Sequence, residues 1–264
     1  MSADLPDTLG GFIDEVGSAE KTLLLVNRTG PEPLVNLLDN AFQNQTVAVA
    51  ERQIPEGVDD LVCLVDDGEM IATTPFWRLK EAFLLVNVDR YRTGTRQSEQ
   101  SEFPAVLTGL GEIEFTVRGF PVSNKEKLLL VLISRFIENR ALTRGDGELH
   151  STFQRLSRLD DEYGTRSMYE RLASSTVETH VYGIRDDPEM VDALAMNVHS
   201  DRTDEYRRSW VVAFSADGET VTKESGEGHA ALVAIETGPN VWRAMWTYDA
   251  NRVDRIQAYL RQFF

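Results

Sequence analysis

The sequence predicts a mixed α/β (α+β) protein: sheets flanked by helices, a C-terminal antiparallel strand group with a closing helix, and two halves of similar element order. Three observations predict it. Short apolar runs bounded by Gly, Asn and Asp alternate with stretches of helical spacing. Three strand-like runs crowd together between residues 210 and 246. An amphipathic segment, with Val253, Ile256, Tyr259 and Leu260 on one side, then ends the chain.

Taken in order, Leu5 to Val16 carries apolar residues at 5, 9, 12, 13 and 16, which is helical spacing. Thr22 to Val26 reads as a strand, Pro31 to Phe42 as a helix and Thr46 to Ala50 as a second strand. Leu61 to Val65 and Met70 to Thr73 flank Asp66-Asp67-Gly68, a hairpin signal. Phe76 to Val88 follows Pro75 as a helix. The polar, aperiodic stretch from Asp89 to Glu102 reads as a linker. Asn124 to Leu142 is a long helix, apolar nearly all round through Leu128 to Ile133, and a helix of that kind must be sandwiched. Leu149 to Leu156 reads as a connector to the next helix, Asp160 to Ala173. Thr179 to Tyr182 is then a strand, Pro188 to Leu194 a short helix and Met196 to His199 a brief strand. Trp210 to Phe214, Ala230 to Ile235 and Val241 to Trp246 are the three late strands, the last two joined by a turn at Thr237-Gly238-Pro239-Asn240. Asn251 to Phe264 closes the chain as a helix. The division this suggests is an N-terminal α/β region (1–88), a linker with connecting strands (89–119) and a C-terminal domain (120–264).

Charge narrows the function. The 264 residues hold 43 Asp and Glu against 27 Lys and Arg, a formal net charge of −16. No basic stripe survives to release counterions from a phosphate backbone, so nucleic acid is not an expected partner, and an anionic membrane surface is disfavoured for the same reason. Only five of the 27 cations are lysine, a balance expected of a protein living in concentrated salt, where screening shortens the reach of self-repulsion. The first six residues, Met1 to Pro6, show no secretory signal, and the longest aliphatic run, Leu128 to Ile133, is far too short to span a bilayer. A soluble, cytoplasmic protein is expected. Cys63, inside an apolar run, reads as a core residue rather than a reactive thiol.

Familiar catalytic patterns are absent. There is no phosphate-cradling P-loop, no G-x-S-x-G elbow and no H-E-x-x-H. Thr108-Gly109-Leu110-Gly111 offers G-x-G, but Glu114 replaces the third glycine and the following residues look extended, so a dinucleotide site is rejected. His150, His180, His199 and His229 show no close pair, so each reads as a solitary histidine and no metal site is expected. Asp160-Asp161-Glu162 and Asp186-Asp187-Pro188-Glu189 read as helix caps. Three features invite a polar ligand instead. Arg135 and Glu138, three apart on an apolar helix, form either a structural lock or a ligand site. The stretch Leu149 to Leu156 mixes an aromatic, an amide and a cation. Trp210, Trp242, Trp246 and Tyr248 concentrate aromatic area on the last strands, with 242, 246 and 248 sharing a face by period two.

The words ISRFIENRA (133–141), GELHSTFQRLSRL (147–159), ETHVYG (178–183), RRSWVVAF (207–214), ALVAIE (231–236) and WTYD (246–249) resemble the DICT family, a sensory domain of diguanylate cyclases and two-component systems. With the acidic, lysine-poor composition, the chain looks like a stand-alone haloarchaeal member. The resemblance implies a non-enzymatic signal-input module that binds a small ligand of unknown identity or a partner. It supplies no catalytic residues to carry over, and the cofactor is unknown. With no output signature in the chain, the output would be a separate signalling protein such as a kinase, cyclase or regulator. The polar and aromatic content of the matching words nominates Arg135, Glu138, Phe153, Gln154, Arg158, Tyr182, Trp210 and Trp246 as ligand-binding residues. A closed pocket would fit a sensor, an exposed apolar patch a scaffold, and a histidine beside a carboxylate in a cleft an enzyme.

Overall fold

The computed structural model describes residues 5–16, 20–29, 35–36, 47–87, 103–118, 127–160, 164–187, 196–217 and 228–264. The expected linker (89–102), the helix at 188–194 and nearly all of the helix at 31–42 lie outside the described residues, as do residues 161 and 162. Two sheets organise the rest. The first has the order β2-β1-β3-β4, built from β1 (Lys21–Val26), β2 (Val47–Arg52), β3 (Leu61–Asp66) and β4 (Glu69–Pro75). The second has the order β5-β11-β10-β9-β6-β7-β8. Its strands are β5 (Ile113–Arg118), β6 (Glu148–Arg155), β7 (Glu178–Ile184), β8 (Asn197–His199), β9 (Ser209–Ser215), β10 (His229–Gly238) and β11 (Val241–Thr247).

The expected hairpin forms between β3 and β4, and both turn residues, Asp67 and Gly68, take the positive φ that an Asp-Gly turn supplies cheaply. The extended reading after Gly111 also holds: residues 113–118 pair with β11 at the edge of the large sheet. Cys63 is buried, and burial pushes its thiol up, away from reactivity.

One expectation is corrected. Residues 149–155 of the expected connector belong instead to β6, the strand at which the large sheet changes from antiparallel to parallel pairing. Its polar residues hide the strand pattern, because His150, Ser151, Thr152 and Gln154 are all buried. The helix expected from residue 160 is likewise split. A 3-10 turn covers Leu156–Asp160, and the α-helix itself runs from Thr165 to Ala173.

The two halves share a four-strand core. β2 runs parallel to β1, and β3 and β4 follow antiparallel. β7, β6, β9 and β10 repeat that order and those senses. The larger sheet extends the plan with β8 at one edge and β11 and β5 at the other.

Seven helices are described: α1 (Leu9–Asp14), α2 (Phe76–Asn87), α3 (Ala105–Thr108), α4 (Leu128–Arg144), α5 (Thr165–Ala173), α6 (Asp204–Arg208) and α7 (Ala250–Phe263). None is long and apolar enough to cross a membrane. Helix α4 is sandwiched as its composition demands, with β9 and β10 on one side and α2 on another, and it stops at Gly145 in the left-handed conformation. Side chains alternate across the large sheet. Val212, Phe214, Leu232, Ala234, Trp242 and Trp246 join a core shared with α4, α5 and the first sheet, whereas Val211, Ala213, Ala231, Val233 and Met245 meet α1 and α7. The large sheet is therefore covered on both faces.

Candidate functional site

Helix α4 presents Val131, Ser134, Arg135 and Glu138 at i, i+3, i+4 and i+7, which is one face of a helix. That face looks onto the place where two strands part. β6 and β9 stay in register only as far as Ser151 opposite Val212, and beyond it Val211 N–H donates to Thr152 Oγ1 (2.8 Å) instead of a backbone carbonyl. The pairing of β6 with β7 is also irregular between Phe153 and Arg155. Bulges of this kind re-aim side chains beside functional sites. The gap, at the carboxyl end of β6, is a cavity of about 290 Å³ lined by Lys127, Ser134, Arg135, Glu138, Thr152, Phe153, Gln154, Arg158, Thr165, Ser209 and Trp210, with Val131 and Val212. Openings at the carboxyl ends of strands, where a sheet changes direction, are where open α/β sheets commonly hold ligands.

Six of the eight nominated residues thus converge: Arg135, Glu138, Phe153, Gln154, Arg158 and Trp210. The other two do not. Trp246 is core, edge-on to Phe115 with ring centroids 5.0 Å apart. Tyr182 lies in the core on the α7 side of the sheet, stacked on His199. Sequence reasoning missed Lys127, Ser134, Thr152, Thr165 and Ser209. For Ser134 the signal was present in the helical stripe it shares with Arg135 and Glu138.

The floor of the cavity is a buried ionic network. Arg135 Nη1 lies 2.6 Å from Glu138 Oε2 and Nη2 donates to Thr165 Oγ1 (2.7 Å), with both charged residues no more than 5% exposed. Tyr169 O–H donates to the second oxygen, Glu138 Oε1 (3.0 Å), and burial pushes that phenol well above its usual value, so it stays a donor. Phe153 meets the Tyr169 ring edge-on at 5.2 Å. The Arg135–Glu138 pair is therefore a lock whose outer surface is also cavity wall.

The rest of the lining is cationic and aromatic. Lys127 Nζ sits over the Trp242 ring at 5.4 Å, and Trp242 meets Trp210 edge-on at 6.0 Å. Trp210 Nε1–H donates to Ser134 Oγ (3.0 Å), fixing the indole against α4. Burial, and then the positive charge of Arg158, push the Lys127 ammonium below its ordinary value, against a smaller opposing pull from Glu236. Ser209 Oγ is fully buried in the lining and has no hydrogen-bond partner among the described residues. The lining thus holds three cations, Lys127, Arg135 and Arg158, and one carboxylate, Glu138, with Glu236 beside it as the acceptor of Gln154 (3.4 Å).

The histidine reading is corrected here. His150, His180 and His199 are not solitary. His150 and His180 are register partners on the parallel strands β6 and β7, their rings stacked 4.6 Å apart, and His180 Nδ1 is 3.0 Å from His199 Nε2 on β8. A rule about i, i+4 spacing finds helical pairs and says nothing about residues thirty apart on paired strands. His150 also stands 2.8 Å from Glu148, in the core under α7.

Residues 106–223 match the model of the DICT family, described as a sensory domain in diguanylate cyclases and two-component systems. The match contains every residue lining the cavity but leaves out β10, β11 and α7, and with them ALVAIE and WTYD. No curated protein matches the chain. Among solved structures, the polyphosphate kinase from Porphyromonas gingivalis aligns at 9% identity and a TM-score of 0.34, over 96% of this chain and 47% of that one. A likeness so slight carries no argument.

Proposed function

We propose that the chain is a non-enzymatic signal-input module whose cavity between α4, β6 and β9 binds a small anion with an apolar, planar body. The premise is that residues 106–223 resemble a family of sensory domains. The observation that carries the ligand class is the lining itself, in which Lys127 and Arg158, whose charges oppose one another, stand with the aromatic side chains of Trp210 and Phe153. An anion placed between the cations relieves that repulsion, Ser209 Oγ gains a partner, and the rings supply stacking area. Arg135 acts mainly through the lock, with Glu138 neutralising it.

Titration with 4-nitrobenzoate, an aromatic carboxylate that quenches indole fluorescence, tests this. Saturable quenching is expected, weakened about tenfold or more by Lys127→Met, since loss of one charge-assisted contact is worth at least 1.4 kcal/mol. The affinity should also fall as the pH rises through the Lys127 titration, which begins below the ordinary lysine value. The sign follows because the anion binds the protonated ammonium, so binding holds that proton on. Equal quenching of wild type and variant would remove the cationic recess from the account.

A second reading, a protein-interaction role, draws on Met70, Ile71 and Trp77, which are exposed on or beside the edge strand β4. In a sensor they suit the surface that meets a separate output protein. The acidic, lysine-poor composition favours a salt-adapted protein of haloarchaeal type, with stability rising as salt screens the net charge of −16.

A further inference from the structure

On the α7 face of the large sheet, away from the cavity, a second cluster of side chains has no part in the reading above. Glu-x-His occurs twice, at 148–150 on β6 and at 178–180 on β7, and the parallel register sets Glu148 beside Glu178 and His150 beside His180. Residues two apart on a strand share a face, so four potential donors fall on one patch. Glu148 Oε1 is 2.8 Å from His150 Nε2 and 3.4 Å from His180 Nε2. The ligand atoms of Glu148, His150 and His180 lie within 4.8 Å of one another.

We propose that Glu148, His150 and His180 form a binding site for a first-row divalent cation of the Zn²⁺ type. Metal–ligand bonds of about 2.0–2.1 Å in a tetrahedron place neighbouring donor atoms about 3.3 Å apart, close to the spacing found between Glu148 and His180. The outer shell is also in place. His150 Nδ1 lies 2.8 Å from the Tyr182 hydroxyl and His180 Nδ1 lies 3.0 Å from His199 Nε2. With the proton on each Nδ1, both Nε2 lone pairs face the carboxylate, the arrangement that orients metal-bound imidazoles. Three such lone-pair donors facing one another repel unless a proton or a metal ion lies between them. Glu178 Oε1, 3.2 Å from His180 Nε2 and largely exposed, stands where a fourth ligand would enter.

Arg261 on α7 is the competing cation. Its Nη1 is 2.6 Å from Glu148 Oε2 and 3.4 Å from His150 Nε2. Its side chain is 45% exposed and has room to swing out into solvent when an ion binds. A metal ion on Glu148 Oε1 and Arg261 on Oε2 therefore repel one another across the carboxylate, which links occupancy to the end of the chain's last helix.

The test is Co²⁺ titration of the full chain after chelator treatment, followed by visible absorption and calorimetry. One equivalent is expected, with the strong d–d bands of a four- or five-coordinate ion. His180→Ala should weaken it roughly a hundredfold, and Arg261→Ala should tighten it by about tenfold, by removing the competitor. A weak six-coordinate spectrum, as acidic surface groups give, would overturn the site, as would unchanged affinity in His180→Ala. If His180→Ala does not fold, Arg261→Ala decides alone: tighter binding supports the site and unaltered or weaker binding overturns it. None of these readouts depends on the anion cavity.

Discussion

Arg135→Met is expected to destabilise the protein by about 3–5 kcal/mol, measured by denaturant unfolding, because it strands Glu138 as an unpaired carboxylate at 3% exposure. The attraction between the two groups is a poor measure of that loss. Taking both from water costs several kcal/mol per ion, so the pair roughly breaks even while either member alone does not. Arg135→Met/Glu138→Leu should therefore recover most of the stability, and the recovery separates a lock from a simple packing contact. Tyr169 limits the recovery, since in the double variant its hydroxyl faces an apolar side chain and loses its acceptor. A single variant as stable as wild type would mean that the network at the cavity floor holds nothing together.

Gly147→Ala is expected to be at least as damaging, with a loss above about 3 kcal/mol and poor yield of folded protein. Gly147 has φ +93°, and a Cβ there would stand 2.1 Å from Ser215 O and 2.7 Å from Ala216 Cα. Its own carbonyl accepts from Glu178 N–H (2.9 Å), the bond that starts the pairing of β6 with β7. The clash is therefore with backbone at the centre of the large sheet, where nothing yields cheaply. Gly145→Ala, two residues earlier, is the comparison. Its φ is +69°, but its nearest neighbour is 3.9 Å away, so only the left-handed conformation is penalised, at about 1–2 kcal/mol. Comparable unfolding midpoints for the two variants would contradict the close approach.

Elements marked by periodicity and turn chemistry were legible in the sequence. The β3–β4 hairpin was announced by Asp67-Gly68, the sandwiched α4 by its all-round apolarity, and the three late strands by apolar runs between turns. β6 was not legible, because a strand buried on both faces ordinarily reads as an apolar run and this one carries His150, Ser151, Thr152 and Gln154. Thr152 and Gln154 line the cavity and His150 stands in the histidine cluster, so local sequence and fold disagree at the two candidate sites. The cavity was half legible. Residues inside the matching words converged on it, Ser209 among them, but Lys127 and Thr165 enter from outside those words, and their approach depends on tertiary packing. The same limit hid the histidines, although the repeated Glu-x-His, once both stretches are taken as parallel strands, gives the register that brings them together.

A small anion held in the recess between α4, β6 and β9 is detectable by native mass spectrometry of the full chain, purified without denaturation. One small anionic molecule per chain is expected, lost on denaturation and absent from Val131→Phe, which fills the cavity. A wild-type mass equal to that of the bare polypeptide, with no added aromatic carboxylate or phosphate retained at saturating concentration, would contradict it.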